Sequence, residues 1–221
     1  MNQAAKDLLK SGAKELGVEL SAAQLAGLNS FAEELKKWNR KINLTAIADD
    51  EGIAVKHFVD SLSLLKVVHA PGRLLDIGSG GGFPCIPVKI ALPELAVVSV
   101  DAVVKKISFQ KQAVRLLNLG NFDAVHVRAE TLAAQYANSF DWIVSRAFSD
   151  LPSFVAMALP LLKSGGRIVA MKGRNGAEEA AAAQEELGGM GVTVQSVQEF
   201  VLPGAGDGRS LIVMVKTIKT V

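Results

Sequence analysis

The first seventy residues place apolar side chains at helical spacing. Ser21 and Gln24 form a capping-box pattern immediately before one such stripe. The stripe consists of Leu25, Leu28, Phe31, Leu35 and Trp38. A second amphipathic stretch covers residues 51–68 and stops before Pro71-Gly72, a pair that favours a helix end. The pattern predicts an N-terminal helical extension over residues 1–70 and a domain boundary at that pair.

From residue 71 onward, short β-branched runs alternate with helix-length segments. The predicted strands are residues 73–77, 97–101, 124–127, 142–146, 167–171, 192–201 and 211–217. Since helix-length segments separate the first five, these should be parallel with right-handed crossovers. The loop 202–208 is too short for a helical crossover, so the last two strands should pair antiparallel. The prediction is an α/β domain over residues 71–221, with a mostly parallel seven-stranded sheet and an antiparallel C-terminal hairpin.

Composition narrows the class of protein. With 49% hydrophobic and 21% charged residues among 221, the chain should fold without staples. The single cysteine, Cys85, excludes an internal disulfide framework, and the three histidines lack metal-ligand spacing. No apolar run approaches the roughly 18 residues of a membrane span, and the start lacks a signal-peptide core. We therefore expect a cytoplasmic protein without metal or membrane association.

The net charge of +2 is too small to indicate a partner, so the distribution of charge matters more. Four cations surround Trp38: Lys36, Lys37, Arg40 and Lys41. Cations around an indole suit contact with phosphates and stacking on bases. The alternative is a solvated helix end, where Lys and Arg complement the helix dipole. The residues alone leave both interpretations open.

The chemistry-bearing segment is residues 74–84, an apolar strand that runs into four glycines and then a helix. A cofactor can approach the bare backbone there, and Asp101 ends the next strand about twenty residues later, as a ribose-binding carboxylate does. Phe83 stands where the dinucleotide fingerprint needs glycine. Asp76 would repel a pyrophosphate but suits the ammonium of a methionine moiety. S-adenosylmethionine is therefore preferred over NAD.

Two further strand ends add candidates. Glu130, with the backbone amide beside it at Ala129, could meet an adenine; the alternative is a helix-start carboxylate. Arg146 could hold the cofactor's carboxylate or an RNA phosphate, or form a surface ion pair. No Asn-Pro-Pro-aromatic segment is present, and Cys85 in the first loop is interpreted as packing. A transfer to a lone pair that is already nucleophilic would need no general base.

Six motifs in order resemble those of the glucose-inhibited division protein B family, the bacterial small-subunit ribosomal RNA guanine-N7 methyltransferases. They are Trp38-Asn39-x-Lys41-x-Asn43-Leu44-Thr45, Lys56-His57-Phe58-x-Asp60-Ser61-Leu62, Leu75-Asp76-Ile77-Gly78-Ser79-Gly80-x-Gly82-Phe83-Pro84, Arg128-Ala129-Glu130, Ser145-Arg146-Ala147 and Met171-Lys172-Gly173. The resemblance implies a Rossmann-like class I methyltransferase fold, with S-adenosylmethionine as donor and S-adenosylhomocysteine as product. The implied acceptor is a guanine in the decoding-centre loop of 16S ribosomal RNA.

The resemblance, together with the loop chemistry, also implies site residues. The cofactor candidates are Asp76, Gly78, Gly80, Phe83, Asp101, Ala102, Val103, Ala129, Glu130 and Arg146. The RNA candidates are Lys37, Arg40, Lys41, Asn43, His57, Asp60, Lys172 and Arg209. His57 is interpreted as a buried histidine rather than a proton carrier, because guanine N7 has a lone pair and no proton. No catalytic residue is assigned.

Three departures from the family pattern bear on fine contacts. Cys85 stands where glycine is common, Ala102 where serine is usual, and Ser210 where a larger polar residue is common. The expected partner is small-subunit ribosomal RNA or a ribosomal particle, with no DNA, and the chain is expected to be a monomer. Three alternatives stay open: an NAD-dependent oxidoreductase, a methyltransferase of the same fold acting on a small molecule or protein, and a non-catalytic nucleotide-binding module.

Overall fold

The computed structural model describes residues 1–69, 71–128, 131–146, 148 and 150–217. A seven-stranded sheet has the order β3-β2-β1-β4-β5-β7-β6. Its strands are β1 (Arg73–Ile77), β2 (Ala96–Asp101), β3 (Phe122–His126), β4 (Phe140–Ser145), β5 (Leu162–Gly173), β6 (Val192–Val201) and β7 (Gly208–Lys216). The first five strands are parallel to one another, and β7 is antiparallel to both β5 and β6. The predicted α/β sheet and its C-terminal hairpin are confirmed.

Strand ends depart from the prediction. β5 begins at Leu162 rather than at residue 167, because Leu162 pairs with Phe140 across a register shift. Gly165 and Gly166 lie inside this strand, and glycines are normally a turn signal. β4 ends at Ser145, so Arg146 follows the strand instead of closing it.

The N-terminal segment is helical, as predicted. α1 (Gln3–Glu15) precedes α2 (Ala22–Ile42), which begins at the predicted capping box: the N–H of Gln24 donates to Ser21 Oγ at 3.2 Å, and that of Ser21 donates to Gln24 Oε1 at 2.8 Å. Residues 50–66 change geometry three times. They form α3 (Asp50–Gly52), a π-helix (Ile53–Val59), α4 (Asp60–Leu62) and a 3-10 helix (Ser63–Lys66).

The remaining helices pack on the two faces of the sheet. They are α5 (Cys85–Ala91), α6 (Val104–Leu116), α7 (Ala133–Tyr136), α8 (Leu151–Ala158), the 3-10 helix Leu159–Leu161, α9 (Gly176–Ala182) and α10 (Gln184–Gly189). Alternate strand residues serve opposite faces: Leu74 belongs to one apolar cluster and Leu75 to the other. No helix within the described ranges is long and apolar enough to cross a membrane.

The N-terminal helices share an apolar cluster with α5, α6 and one face of the sheet. At its centre, Phe31 of α2 is fully buried, with ring centroids 5.7 Å from Phe58, 5.5 Å from Phe83 and 5.9 Å from Phe109. Side chains on both sides of the predicted boundary at Pro71-Gly72 thus form one core. The boundary itself stays a prediction.

Replacing Phe31 by alanine should lower the free energy of unfolding by about 3 to 5 kcal/mol, since it empties the middle of this cluster. Urea unfolding measures the change. Leu116→Ala is the control, because Leu116 is 49% exposed and its truncation should cost less than about 0.5 kcal/mol. Equal losses from the two variants would contradict the assignment of Phe31 to the core.

Candidate cofactor loop and cationic cavity

The loop after β1 requires glycine at several positions. Gly78, Gly80 and Gly82 have φ values of 75°, 57° and 83°, in the left-handed region that glycine adopts without strain. A Cβ added at Gly82 would collide with Ile86, whereas one added at Gly80 would meet nothing within 4 Å. The loop is therefore packed at Gly82 and open at Gly80, where a ligand can approach the backbone.

Asp101 joins this loop to the end of β2. Its Oδ2 accepts from the N–H of Gly80 at 2.9 Å, and its Oδ1 accepts from that of Val103 at 2.8 Å. The carboxylate is buried, while Gly78, Ala102 and Val103 beside it are exposed. The predicted pairing of the glycine loop with the second strand end is thus present in the structure, and both predicted segments line one open edge of the sheet.

Sequence reasoning missed a buried polar network behind the loop. Gln110 of α6 donates through Nε2 to the carbonyl of Gly80 and to Ser79 Oγ, both at 2.8 Å. The hydroxyl of Ser99 in β2 lies within hydrogen-bond distance of both Ser79 Oγ and Gln110 Oε1. All three side chains are buried, and their hydrogen bonds fix the loop backbone. The sequence signal for this network was a polar residue at an otherwise apolar position, Ser99 in β2 and Gln110 in α6.

Asp76 is fully buried beneath the loop. Its Oδ2 accepts from the N–H of Cys85 at 3.1 Å, and its Oδ1 has no partner among the described residues. Burial raises the pKa of Asp76 to about 7, and the charge of Asp101 acts in the same direction, against the Cys85 hydrogen bonds and Arg146. Burial, followed by the charge of Asp76, raises the pKa of the Cys85 thiol well above its usual value. Cys85 is thus a buried thiol, as its interpretation as a packing residue requires.

These features fit a nucleoside that carries a cationic amino-acid end. The exposed Gly78 and the open space beside Gly80 leave room for the ligand, Asp101 presents a carboxylate at the strand end, and Asp76 Oδ1 has no hydrogen-bond partner among the described residues. Ala129 and Glu130 lie outside the described residues, so their cofactor contacts stay predictions. Within the described ranges, no group of three or more metal-binding side chains is present.

A cavity of about 320 Å³ lies beside the loop, at the ends of β4 and β5 and the start of β7. Its charged and ionisable lining residues are Lys56, His57, Asp60, Arg146, Lys172 and Arg209. The cavity therefore brings together Arg146 and four of the residues that the resemblance implies for RNA. Low-dielectric walls strengthen the field of such a cluster.

Arg146 links the cavity to the loop. Its Nη1 donates to Asp60 Oδ2 at 3.1 Å and to the carbonyl of Lys56 at 3.4 Å. The guanidinium also lies over the ring of Phe83, 5.6 Å from the centroid. Of the sequence alternatives for Arg146, an ion pair is present, and the cofactor and phosphate roles stay open.

His57 forms the wall between the loop and the cavity. Its ring stacks on Phe83 with centroids 4.3 Å apart, and its Nε2 shares a hydrogen bond of 2.8 Å with Thr45 Oγ1. Burial and, to a smaller extent, the charge of Arg146 lower the pKa of His57 to about 4. Asn39 holds Thr45 by two backbone hydrogen bonds of 2.9 Å. His57 is therefore a buried neutral ring. The sequence analysis assigned no role to Thr45, which hydrogen-bonds His57, or to Asn39, which holds Thr45.

The cluster around Trp38 divides into occupied and exposed residues. Lys36 pairs with Asp50 at 2.8 Å and Glu33 at 3.1 Å. Trp38 donates to Glu34 at 2.7 Å and packs against Phe109, so both its N–H and part of its ring are occupied. The exposed candidates are Lys37, which also pairs with Glu34 at 3.4 Å, Arg40, Lys41 and Asn43. None of them lines the cavity, and Asn43 caps α2 in the left-handed conformation.

The two C-terminal candidates lie on the far side of the cavity. Lys172 pairs with Glu179 at 2.7 Å and donates to the carbonyl of Phe148 at 3.0 Å. Arg209 Nε donates to Asp60 Oδ1 at 2.8 Å. Ser210 is buried against Gly176, where an added Cβ would collide with its hydroxyl. Position 210 therefore has no room for a larger residue in this chain.

The chain resembles known proteins over nearly its whole length. It matches the family model GidB, described as rRNA small subunit methyltransferase G, over residues 24–209. It is 73% identical over 214 residues to the ribosomal RNA small subunit methyltransferase G of Geobacter sp. strain M21, covering 97% of this chain and 99% of that protein. The protein of the same name from Geotalea uraniireducens is 61% identical over 216 residues, covering 98% of this chain and 99% of the relative.

A solved structure has the same fold. A SAM-dependent methyltransferase from Aquifex aeolicus superposes with a TM-score of 0.59 at 16% identity, covering 83% of this chain and 98% of the other. At that identity the likeness concerns the fold alone. It confirms the class I methyltransferase fold that the motifs implied.

The buried Asp76 should give a measurable pH dependence of stability. Because its pKa is raised in the folded state, folding takes up a proton between about pH 4 and pH 7, so its contribution becomes less favourable as pH rises. The stability of the parent chain relative to Asp76→Asn should fall by as much as about 4 kcal/mol over that range, at about 1.4 kcal/mol per pKa unit. Urea unfolding at a series of pH values measures this difference.

Asp141→Asn is the control of opposite sign. Although burial opposes its ionisation, hydrogen bonds from Lys163 and the N–H of Arg73 lower the pKa of Asp141. The parent chain should therefore lose stability relative to Asp141→Asn as pH falls through the carboxyl range. A flat difference between the parent and Asp76→Asn from pH 4 to pH 7 would contradict the raised pKa.

Proposed function

The chain belongs to the GidB family, rRNA small subunit methyltransferase G, and we propose that it methylates N7 of a guanine in the decoding-centre loop of 16S ribosomal RNA. The donor is S-adenosylmethionine, in keeping with the family and the class I fold. The proposal further holds that the chain acts as a monomer in the cytoplasm, on RNA rather than DNA, away from membranes and without a metal.

One structural observation carries the proposal. The cationic cavity and the open glycine loop share a wall, since His57 and Arg146 line the cavity and both contact Phe83 of the loop. A cofactor held along the loop and a nucleotide held by the cations would meet at this wall. Because arginine and lysine side chains bind phosphate, the cavity favours a nucleic acid over an apolar small molecule as the methyl acceptor.

The chemistry fits a site without a general base. When bound, S-adenosylmethionine supplies an electrophilic methyl group on a sulfonium that becomes a neutral thioether. The lone pair of guanine N7 forms the new N–C bond as the S–C bond breaks, so positive charge passes to the purine and no proton is removed. His57, with its pKa lowered to about 4, stays neutral near pH 7 and is not required as a base.

The chain's own residues would bind, orient and exclude water. Asp101 and Gln110 hold the loop backbone at Gly80 in place, so the cofactor meets a preformed surface. Asp76 Oδ1 offers a buried acceptor to the ammonium of the cofactor, whose positive charge would favour the ionised carboxylate. Phe83 and His57 would exclude water between donor and acceptor, which suits the movement of charge from sulfonium to purine.

The exposed cations of α2 extend the proposal to RNA outside the cavity. Lys37, Arg40 and Lys41 lie near the C-terminus of the helix, where their charges also complement its dipole. Such exposed cations can contact phosphates that flank the target nucleotide. This would make the N-terminal helices an RNA-recognition segment.

Methyl transfer tests the proposed function directly. Small ribosomal subunits from cells that lack this chain should accept labelled methyl groups from S-adenosylmethionine, and nucleoside analysis should recover the label as 7-methylguanosine. Naked 16S ribosomal RNA and assembly intermediates are assayed in parallel to identify the preferred form. If calorimetry shows cofactor binding but no RNA form takes up label, the acceptor belongs to another chemical class.

Charge reversal tests the role of α2. The variant Lys37→Glu/Arg40→Glu/Lys41→Glu should weaken RNA binding and reduce the slope of log affinity against log salt by about three, one unit for each lost phosphate contact. Fluorescence anisotropy with a labelled RNA fragment measures both. The matched control reverses Lys6, Lys10 and Lys14, three exposed lysines of α1. Equal effects of the two triple variants would reject a specific role for α2.

A further inference from the structure

Asp60 connects three distant parts of the chain. It lies at the start of α4 and is 4% exposed. Its Oδ1 accepts from Nε of Arg209 at 2.8 Å, at the start of β7. Its Oδ2 accepts from Nη1 of Arg146 at 3.1 Å, just after β4. One carboxylate of the N-terminal helices thus holds two arginines, one just after β4 and one in β7.

The charges of the cavity require such a carboxylate. Among the described residues that line it, Lys56, Arg146, Lys172 and Arg209 are cationic and Asp60 is the only acid. Two guanidinium groups bound to one carboxylate are close enough to repel each other at low dielectric. With Asp60 between them, both guanidinium groups are held by the same carboxylate. Each arginine side chain therefore loses less conformational entropy when a ligand binds.

The remaining donors of these arginines suit a ligand of one chemical type. Within the described residues, the hydrogen bonds of Arg146 use Nη1, which leaves Nε and Nη2 for a partner. Arg209 uses Nε for Asp60 and Nη1 for the carbonyl of Gly208, while its Nη2 lies 3.6 Å from Asp207. Planar guanidinium donors in fixed orientation match the oxygens of a phosphate.

We propose that Asp60 is a positioning residue that orients Arg146 and Arg209 to bind a backbone phosphate of the RNA at the target guanine. This inference rests on the proposed function and adds the role of Asp60. A carboxylate repels phosphate, so Asp60 acts through the arginines and does not contact the RNA. The candidate cofactor residues Gly80 and Asp101 are hydrogen-bonded to each other and not to Asp60.

The test compares Asp60→Asn with Asp141→Asn. Asparagine at position 60 keeps the shape of the side chain but removes the charge that holds both arginines. We expect the KM for ribosomal RNA to rise at least tenfold and anisotropy to show the same loss of RNA affinity. The calorimetric Kd for S-adenosylmethionine should stay within twofold. Asp141→Asn removes an ion pair with Lys163 at the opposite end of β4 and should change neither RNA quantity.

A double-mutant cycle separates positioning from general stabilisation. Since Asp60 acts through both arginines, Asp60→Asn should add less than threefold to the loss of RNA affinity already caused by the double variant Arg146→Ala/Arg209→Ala. Two results would overturn the proposal: fully multiplicative losses, or a cofactor affinity that falls as much as the RNA affinity. A normal KM for RNA in folded Asp60→Asn would also overturn it.

A second variant keeps the proposal testable if Asp60→Asn does not fold. Arg209→Lys retains the positive charge but lacks the Nε–H group that donates to Asp60. Positioning predicts that Arg209→Lys loses RNA affinity nearly as strongly as Arg209→Ala, whereas RNA affinity close to the parent chain's would overturn it. If the parent chain itself methylates no RNA, the proposed function fails. If the parent methylates RNA and the variants Asp60→Asn and Arg209→Lys bind RNA as tightly as the parent, only the positioning role fails.

Discussion

The packing of one ring, that of Phe83, joins the glycine loop, the N-terminal helices and the cationic cavity. It belongs to the glycine loop, yet its neighbours are His57 of the π-helix, Phe31 of α2 and the guanidinium of Arg146. At 4% exposure it seals the loop from one side, while Gly80 stays open. The N-terminal helices therefore provide a wall of the candidate site as well as part of the core. A glycine at this position, as in a dinucleotide-binding loop, would leave that wall incomplete.

Much of the fold follows from the sequence because its signals are local. Helix-length spacers predict parallel strands, the short loop at 202–208 predicts the hairpin, and Ser21 with Gln24 marks the start of α2. The early start of β5 could not be predicted from the sequence, because the adjacent glycines Gly165 and Gly166 are a signal for a turn. Pairing with β4 and β7 makes this segment part of a strand. The π-helix is equally hidden, because apolar spacing hardly distinguishes its winding from that of an α-helix.

The candidate site divides in the same way. The glycine loop, Asp76 and Asp101 are predictable because they lie in two short segments at a characteristic spacing. Asp60 and its arginines are not, since the partners are 86 and 149 residues apart and nothing in one sequence relates them. The resemblance to a family supplied Asp60 and Arg209 as RNA candidates without individual roles. Only their distances assign one carboxylate to two guanidinium groups.

The charge of the cavity also sets a condition on the proposed reaction. Methyl transfer to N7 gives the purine a positive charge, and four cations of the cavity wall would oppose that change in the absence of anions. Asp60 offsets one of these cations, Glu179 offsets Lys172 at 2.7 Å, and the phosphates of bound RNA would offset the others. RNA binding would then lower the electrostatic cost of the chemical step as well as positioning the base. The cations that attract the substrate are thus compatible with a cationic product only while its phosphates remain bound, which gives a physical reason for a nucleic-acid acceptor at this site.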